Sequence, residues 1–519
     1  MSRQLPASPN LEHLKKQAKE LLEDFRQNKP EARAQFREEI NLTSTDAHLA
    51  DAQHVIARSY GFASWPKLKE HVEWFALSPQ EQLSAAVRAS DAQRVKRVLE
   101  EHSELAAQLN EPMLNYGGLP ALLAAVQRND IKTIDVLLRA GADINARGKS
   151  WAGGRGILDE CAPGLAGFVI ERGAIVDVHS AARLGMVAKV RELVETDPAA
   201  VNARGEAGQT PLHFASTIAI AEVLLDYGAD IDARDLLHES TPAQHMIRVI
   251  QARHYPHDRQ PIARYLVARG CQTDILMAVG LGDFDLVRRH VEADPECVRI
   301  RVSETYFPRK DPRGGGTYYI PALGRNRTPH QVARDFGHEE IFQFLIEHSP
   351  EDVKLSQACQ LGDENLFRSM LARRPNMLRN LTDEQRRQVA DAAQNNNTSA
   401  VRLMLAAGWP VDARGEYAMT PLQWASWHGN SEMVGEILRY RPRLELSCDH
   451  GITALGSALH GSMNGWHRDT GDYVATLEAL LEAGAKAPKI TDDLEASDRV
   501  RDLLRRHAES RSAESANRK

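Results

Sequence analysis

The residues best suited to chemistry lie in one stretch, Arg299 to Arg327, RIRVSETYFPRKDPRGGGTYYIPALGRNR. It carries Arg299, Arg301, Arg309, Lys310, Arg313, Arg325 and Arg327 against only Glu304 and Asp311. Arginine's planar fork gives paired hydrogen bonds to a carboxylate or phosphate. On a chain of net charge -7, such an arm suits an acidic peptide, a carboxylate or a phosphate, or else packs on its own surroundings. Tyr306 and Phe307 lie opposite Tyr318 and Tyr319 across PRKDPRGGG, which predicts a long hairpin.

Histidine recurs in two further insertions, QARHYPHDRQ at 251–260 and GSMNGWHRDTGD at 461–472. His254 and His257 with Asp258, or His460 and His467 with Asp469, are of metal-ligating type. Neither cluster has a well-spaced ligand set, and in an extended helical array they stand roughly 50–60 Å apart, so no metal and no cofactor is assigned. The chain has no P-loop, no G-x-S-x-G elbow and no HExxH, so no catalytic residue is assigned either. Its five cysteines are scattered singly without a CxxC, a pattern of reduced, buried thiols in a cytoplasmic protein.

Totals narrow the class. At 519 residues the chain exceeds one ordinary core, so several domains or a repeat array are expected. Hydrophobic content of 42% with no apolar run of spanning length excludes a helical membrane protein. Net negative charge argues against a general nucleic-acid binder, which needs a broad positive face. The start, MSRQLPASPNLEHLKK, lacks an apolar segment before a cleavage site and reads as unprocessed.

The elements that must position these residues repeat. In QTPLHFASTIAIAEVLLDYGADIDARD, Thr210 and Pro211 open a short first helix as cap and first-turn residue. Ala221 to Tyr227 form a second helix, which Gly228 ends in the left-handed conformation. The pattern returns in better and worse copies near 83, 119, 157, 179, 209, 240, 275, 327, 353, 386, 419 and 452, about twelve in all. Some second helices end in glycine (Gly141, Gly173, Gly228, Gly270, Gly408, Gly484) and others in proline (Pro198, Pro295, Pro375, Pro442), which stops a helix by removing a donor. Gly185, Gly282 and Gly362 occupy one position in the proline-type copies, with Ser90 equivalent to them. The copy near 157 is shortened. Thr-Pro recurs at Thr241, Thr328 and Thr420 with Gln244, Gln331 and Gln423 in place of His213, so this position reads as structural throughout.

Thr210-Pro211-Leu212-His213-Phe214-Ala215 matches T-P-L-H-x-A, and over about four-fifths of its length the chain resembles an ankyrin-repeat protein. The resemblance implies an all-α solenoid over 78–490, with insertions at 149–158, 251–260, 299–327 and 461–472. It also implies a contact surface made of the finger loops and of two positions after the alanine pair of each first helix. Those positions fall on Arg88, Gln127 and Arg128, Arg183, Thr217, Arg248, Asp335, Gln360, Gln394, Trp427 and His428, and His460. Trp151 stands on the lengthened finger KSWAGGRGIL, and Trp466 and His467 stand beside His460 in the last insertion. Residues 1–77 resemble a small helical module found before ankyrin repeats in some bacterial proteins, through NLEHLKKQAK and YGFASWPKLKEHV. Its plain role is a polar cap. Residues 491–519 read as a capping helix and a disordered polar end.

The expectation is a cytoplasmic recognition protein that binds a protein or peptide on its concave face, with Trp427, His428, His460 and Trp466 as one anchor and the basic arm as another. The alternative is an enzyme or small-ligand protein whose insertions close over the groove as a pocket. Convergence of the insertions on one deep cavity separates the two.

Overall fold

The computed structural model describes residues 4–6, 9–41, 47–113, 118–248, 258–373, 381–488, 490, 494 and 496–517. By internal contacts the chain divides into two compact units, Met1–Leu266 and Val267–Lys519. Among the described residues there is no strand, and the fold is an all-α ankyrin-type solenoid.

The first unit opens with four helices, Leu11–Arg26, Pro30–Ile40, Leu49–Ser59 and Trp65–Ala76. The Asn10 side chain accepts from the Glu12 and His13 amides and so starts the first, as an N-cap should. Leu14, Ala18, Leu22 and Phe25, spaced one turn apart, meet Phe36, Val55, Ile56, Leu68 and Val72 in a core of their own. Six helical pairs follow, from Pro79–Arg88 with Ala92–Glu101 to Pro242–His245 with Gln260–Ala268. The second unit carries six more, from Ile275–Leu281 with Phe284–Ala293 to Ala454–Asn464 with Tyr473–Glu482. A final helix, Asp498–Asn517, buries Val500, Leu503 and Leu504 against the last pair and runs on where the sequence predicts a disordered end.

Local chemistry explains the repeats. At Thr420 the side chain accepts from the Gln423 amide while Gln423 Oε1 accepts from the Thr420 amide at 2.8 Å, a reciprocal cap. Gln423 Nε2 then donates to Ile452 O at 2.6 Å, tying one repeat to the next. His213 does the same with imidazole, Nδ1 accepting from the Thr210 amide at 3.1 Å and Nε2 donating to Ser240 O at 3.1 Å. Gly185, Gly282 and Gly362 all have positive φ, and Ser90 takes φ 55° at the equivalent point.

Several sequence expectations are corrected. In the repeat at 209 the first element is a single 3-10 turn, Pro211–Phe214, and the second helix starts at Ile218. Thr217 accepts from the Ile220 amide at 3.2 Å, so it caps this helix. Pro198 and Pro295 each open a further 3-10 turn, Pro198–Asn202 and Pro295–Arg299. Pro375 lies outside the described residues, as do His254 and His257. Residues 299–327 form no hairpin ladder; they turn through a short helix, Tyr319–Leu323. Phe307 does meet Tyr319, edge to face at 5.3 Å, but Tyr319 is fully buried and its hydroxyl donates to Asp274 Oδ2 at 2.8 Å. It is therefore a core residue. Arg183 is also buried, because the copy at 157 has only a four-residue first helix, Ile157–Glu160. Its guanidinium reaches Leu158 O and Cys161 Sγ.

Candidate functional site

The basic arm and the aromatic insertion belong to the second unit and are built in opposite ways. In the arm, Arg299 makes a two-pronged contact with Asp352 at 2.5 and 3.1 Å. Arg301, almost buried, reaches Asp391 at 2.9 Å and Glu384 at 2.7 Å. The Tyr306 hydroxyl donates to Glu384 at 2.9 Å. Arg325 pairs with Glu416, Arg327 with Asp335 at 3.5 Å, Arg309 with Glu304 at 2.7 Å and Arg313 with Asp311 at 2.7 Å. Burial pushes Asp391 up to about 6 despite Arg301. Against the same effect of burial, Arg301 holds Glu384 below the usual carboxylate range. The arm's six arginines thus face carboxylates, five of which, Asp335, Asp352, Glu384, Asp391 and Glu416, are supplied by the repeats beneath. Lys310 is exposed and Tyr318 half-buried.

Beside the arm is a cavity of about 260 Å³ lined by Arg299, Arg301, Tyr306, Gln357 and Glu384 among others. No residue of 461–472 lines it, so these two insertions do not converge there.

The second constellation is carried by Pro421–His428 and Ala454–Asn464 with the loop after it. Trp466 is 64% exposed. Its ring lies 6.3 Å from Trp424 at 18° and 5.7 Å from His428 at 42°. Trp427 stands edge-on to it at 6.4 Å and lies 5.3 Å from His460. His467 packs edge-on to His428 at 5.2 Å. Backbone contact holds the loop: Asp472 N donates to Gly429 O at 2.8 Å, and the Tyr473 hydroxyl donates to Trp427 O at 2.9 Å. A Cβ at Gly461, Gly465 or Gly471 would strike a backbone carbonyl, so three glycines let this loop lie on the helix end.

Trp427, His428, His460, Trp466 and His467, singled out in the sequence, therefore come together. His428 is corrected in role. It is buried, its Nε2 donates to Gln394 O at 2.9 Å, and burial lowers its pKa to about 4. It is a neutral floor of the cluster and not an outward contact. Trp424, on the same helix, was not singled out; its spacing of four from His428 was the available signal.

The other positions are dispersed. Arg88, Arg128 and Arg248 are exposed, and Gln127 Nε2 donates to Glu160 at 2.7 Å. Gln394 is buried and donates to Glu416 at 2.6 Å. Asp335 is exposed and faces Arg327. Trp151 is 40% exposed on a finger closed by Gly148 N to Arg155 O.

In the first unit His213, Asp235 and His245 place ligating-type atoms within 4.8 Å of one another. Both His213 nitrogens are committed to the repeat's own bonds, as Gln423's amide is. Burial drives His213 down to about 3 and lowers His245. Arg259 donates to the His213 and His245 carbonyls, a fixed cation beside any second one. The cluster is a hydrogen-bonded joint between repeats.

Family models agree with this anatomy: one for ankyrin repeats (many copies) matches residues 389–434, and one for the ankyrin repeat matches 117–149 and 207–236. None reaches residues 1–77. Among curated proteins the chain is similar to the ankyrin repeat and SAM domain-containing protein 6 of rat, 30% identical over 161 residues. That is 30% of this chain and 17% of the relative. The mouse protein of the same name is 29% identical over 161 residues, or 30% and 16%. The chain thus matches about a sixth of these mammalian relatives' length. Among solved structures it is similar to the human ASB11 ankyrin repeat domain, with 17% identity and a TM-score of 0.23 over 61% of this chain and 100% of that one. The chain carries ankyrin repeats, modules that generally mediate protein–protein interaction. No helix among the described residues is long and apolar enough to cross a membrane.

Proposed function

We propose that this chain is a cytoplasmic recognition protein that binds a protein or peptide partner through the aromatic cluster of its second unit, on the face that is concave in ankyrin proteins. The observation that carries the reading is Trp466, 64% exposed yet packed in a set of rings. Exposed tryptophans in ordered aromatic surroundings are the typical anchors of interfaces. A loop tied to the helix end by the Asp472 N–Gly429 O and Tyr473 Oη–Trp427 O hydrogen bonds holds it, so little backbone rearrangement is expected on binding. The basic arm is a supporting element and not a second anchor, because its arginines are engaged by carboxylates.

Selection of displayed random peptides on the wild-type chain, with counter-selection on a Trp466→Ala/His460→Ala variant, tests this. Peptides enriched on wild type and lost on a variant of unchanged circular dichroism are expected. Peptides held equally by both would remove the cluster as the binding face.

A further inference from the structure

We propose that the finger at 148–156 is a pH-sensitive latch: it lies locked on the turn at 205–208 while Glu206 carries a proton, and it is released as Glu206 ionises. All its parts belong to the first unit, so it stands apart from the aromatic cluster of the second. Fingers of this kind belong to the contact surface that ankyrin repeats imply. The latch thus withholds one such element below neutral pH and offers it above.

Packing makes the lock. Gly148 N donates to Arg155 O at 2.8 Å and closes the finger, and Arg147 grips its Gly154 O at 2.8 and 3.1 Å. A Cβ at Gly154 would strike Gly148 O, and one at Gly153 would strike Gly205 O and meet Ala207 N. Ala152, between Trp151 and Gly153, is buried. The finger tip therefore rests in backbone contact on the turn that carries Glu206. Yet its amides at Gly148, Lys149 and Gly153 donate to Arg155 O, Gly118 O and Ser150 O, none of them on that turn. What joins finger to turn is Arg155, which faces Glu206 and, at 2.9 Å, Glu160.

Charge makes the lock conditional. Arg155 is shared by those two carboxylates, and Arg147 by two more, Asp159 at 3.0 Å and Asp177 at 3.7 Å. Asp159 and Glu160 are buried, the first accepting from Gly156 N and the second from Gln127 Nε2, each at 2.7 Å. The other charged groups around the turn are directed to further partners. Arg183 reaches Leu158 O, Arg204 reaches Gly208 O and Arg234 O, and Lys149 pairs with Glu111. On the next finger Arg234 donates to Glu239 O, Asp235 accepts from the His238 and Ser240 amides, and the His238 ring packs on His245. His179 lies against Gly205 and donates from Nε2 to Ala203 O at 3.0 Å.

Four carboxylates thus meet two arginines, and full ionisation leaves net negative charge where little water reaches. A proton on one carboxylate relieves it. Burial pushes Glu206 up to about 7 against the pull of Arg155, with Asp159 and Glu160 adding to the effect of burial. A neutral Glu206 still accepts from Arg155 through its carbonyl oxygen, so the contact survives protonation. Released into water, the same group titrates at its ordinary value of 4.5. The locked state therefore binds the extra proton. It is fully favoured below about 4.5 and loses that advantage as pH rises through about 7.

Hydrogen exchange of the full chain, read by mass spectrometry at pH 6, 7 and 8 and corrected for the intrinsic rate at each pH, tests this. Protection across 148–156 should fall about tenfold from pH 6 to 8, while that of the helix Leu49–Ser59 stays level. Glu206→Gln, which keeps the shape of the neutral carboxyl, should hold the pH 6 protection at pH 8. Level or rising protection in wild type, or the same fall in Glu206→Gln, would overturn the latch. Trp151 gives a second reading that does not depend on altering Glu206. The emission difference between wild type and Trp151→Phe should shift with one midpoint near 7, and a difference that stays unmoved from pH 6 to 8 would equally overturn it.

Discussion

The arm at 299–327 and the loop at 461–472 are both insertions rich in aromatic and basic residues, yet one faces inward and the other outward. The difference lies beneath them. Under the arm, the repeats present Asp352, Glu384, Asp391 and Glu416, which draw down Arg299, Arg301 and Arg325. Under the loop lie Trp424, Trp427 and His428, neutral groups that stack with Trp466 without consuming its exposed face. Whether an insertion stays exposed is thus set by the complementarity of the surface it lands on, more than by its own composition.

The largest effect should come from Arg301→Ala. It strands Asp391 as a buried, uncompensated carboxylate, at a cost of about 3–5 kcal/mol, measurable by urea unfolding. A neutral outcome would make the arm a solvated surface after all and break the comparison.

Titration sharpens it, because one buried group in each region, His428 and Asp391, responds to pH with opposite sign. An unfolded histidine protonates near 6.5, whereas His428 is held down to about 4. The unfolded chain binds the extra proton between these limits, so stability is full above about 6.5 and falls on acidification, by about 2–3 kcal/mol from this residue. His428→Gln, whose amide can still donate to Gln394 O, should remove that share of the acid loss. Asp391 is raised to about 6, so its folded state holds the proton more tightly and stability drops as pH rises from about 4 through 6. Asp391→Asn should flatten that limb. Unfolding curves from pH 4 to 8 in which both variants follow wild type would deny either group its role.

Gly461→Ala should cost about 1–3 kcal/mol and displace the loop, since the new Cβ meets the Trp427 carbonyl even though alanine favours a helix. A red shift in tryptophan emission together with a lowered melting temperature is the expected record. At the small end, Arg313→Ala should leave the melting temperature unchanged, because its pair with Asp311 stands in solvent. A clear drop there would mean that the arm's tip is bound more firmly than its root.

Much of the fold was legible because local rules write it. Thr-Pro with Gln or His three residues on is a reciprocal cap, and it opens four of the twelve pairs found among the described residues, at Thr210, Thr241, Thr328 and Thr420. The equivalence of Ser90 to the three glycines was readable from alignment of the copies, and its φ of 55° agrees. Much of the site was legible too, since Trp427, His428, His460, Trp466 and His467 do gather. Illegible were the burial of Arg183, Tyr319 and His428. Each depends on a partner distant in sequence: Leu158 O, Asp274 and Gln394 O.

By itself the sequence determined the repeat period, the helix caps and the aromatic composition of the last insertion, since these rest on backbone geometry within a few residues. Only the tertiary structure decided which insertion stays open. That outcome depends on whether the surface beneath carries carboxylates that neutralise arginine or neutral rings that hold a tryptophan face up to solvent, and those surfaces come from repeats far along the chain.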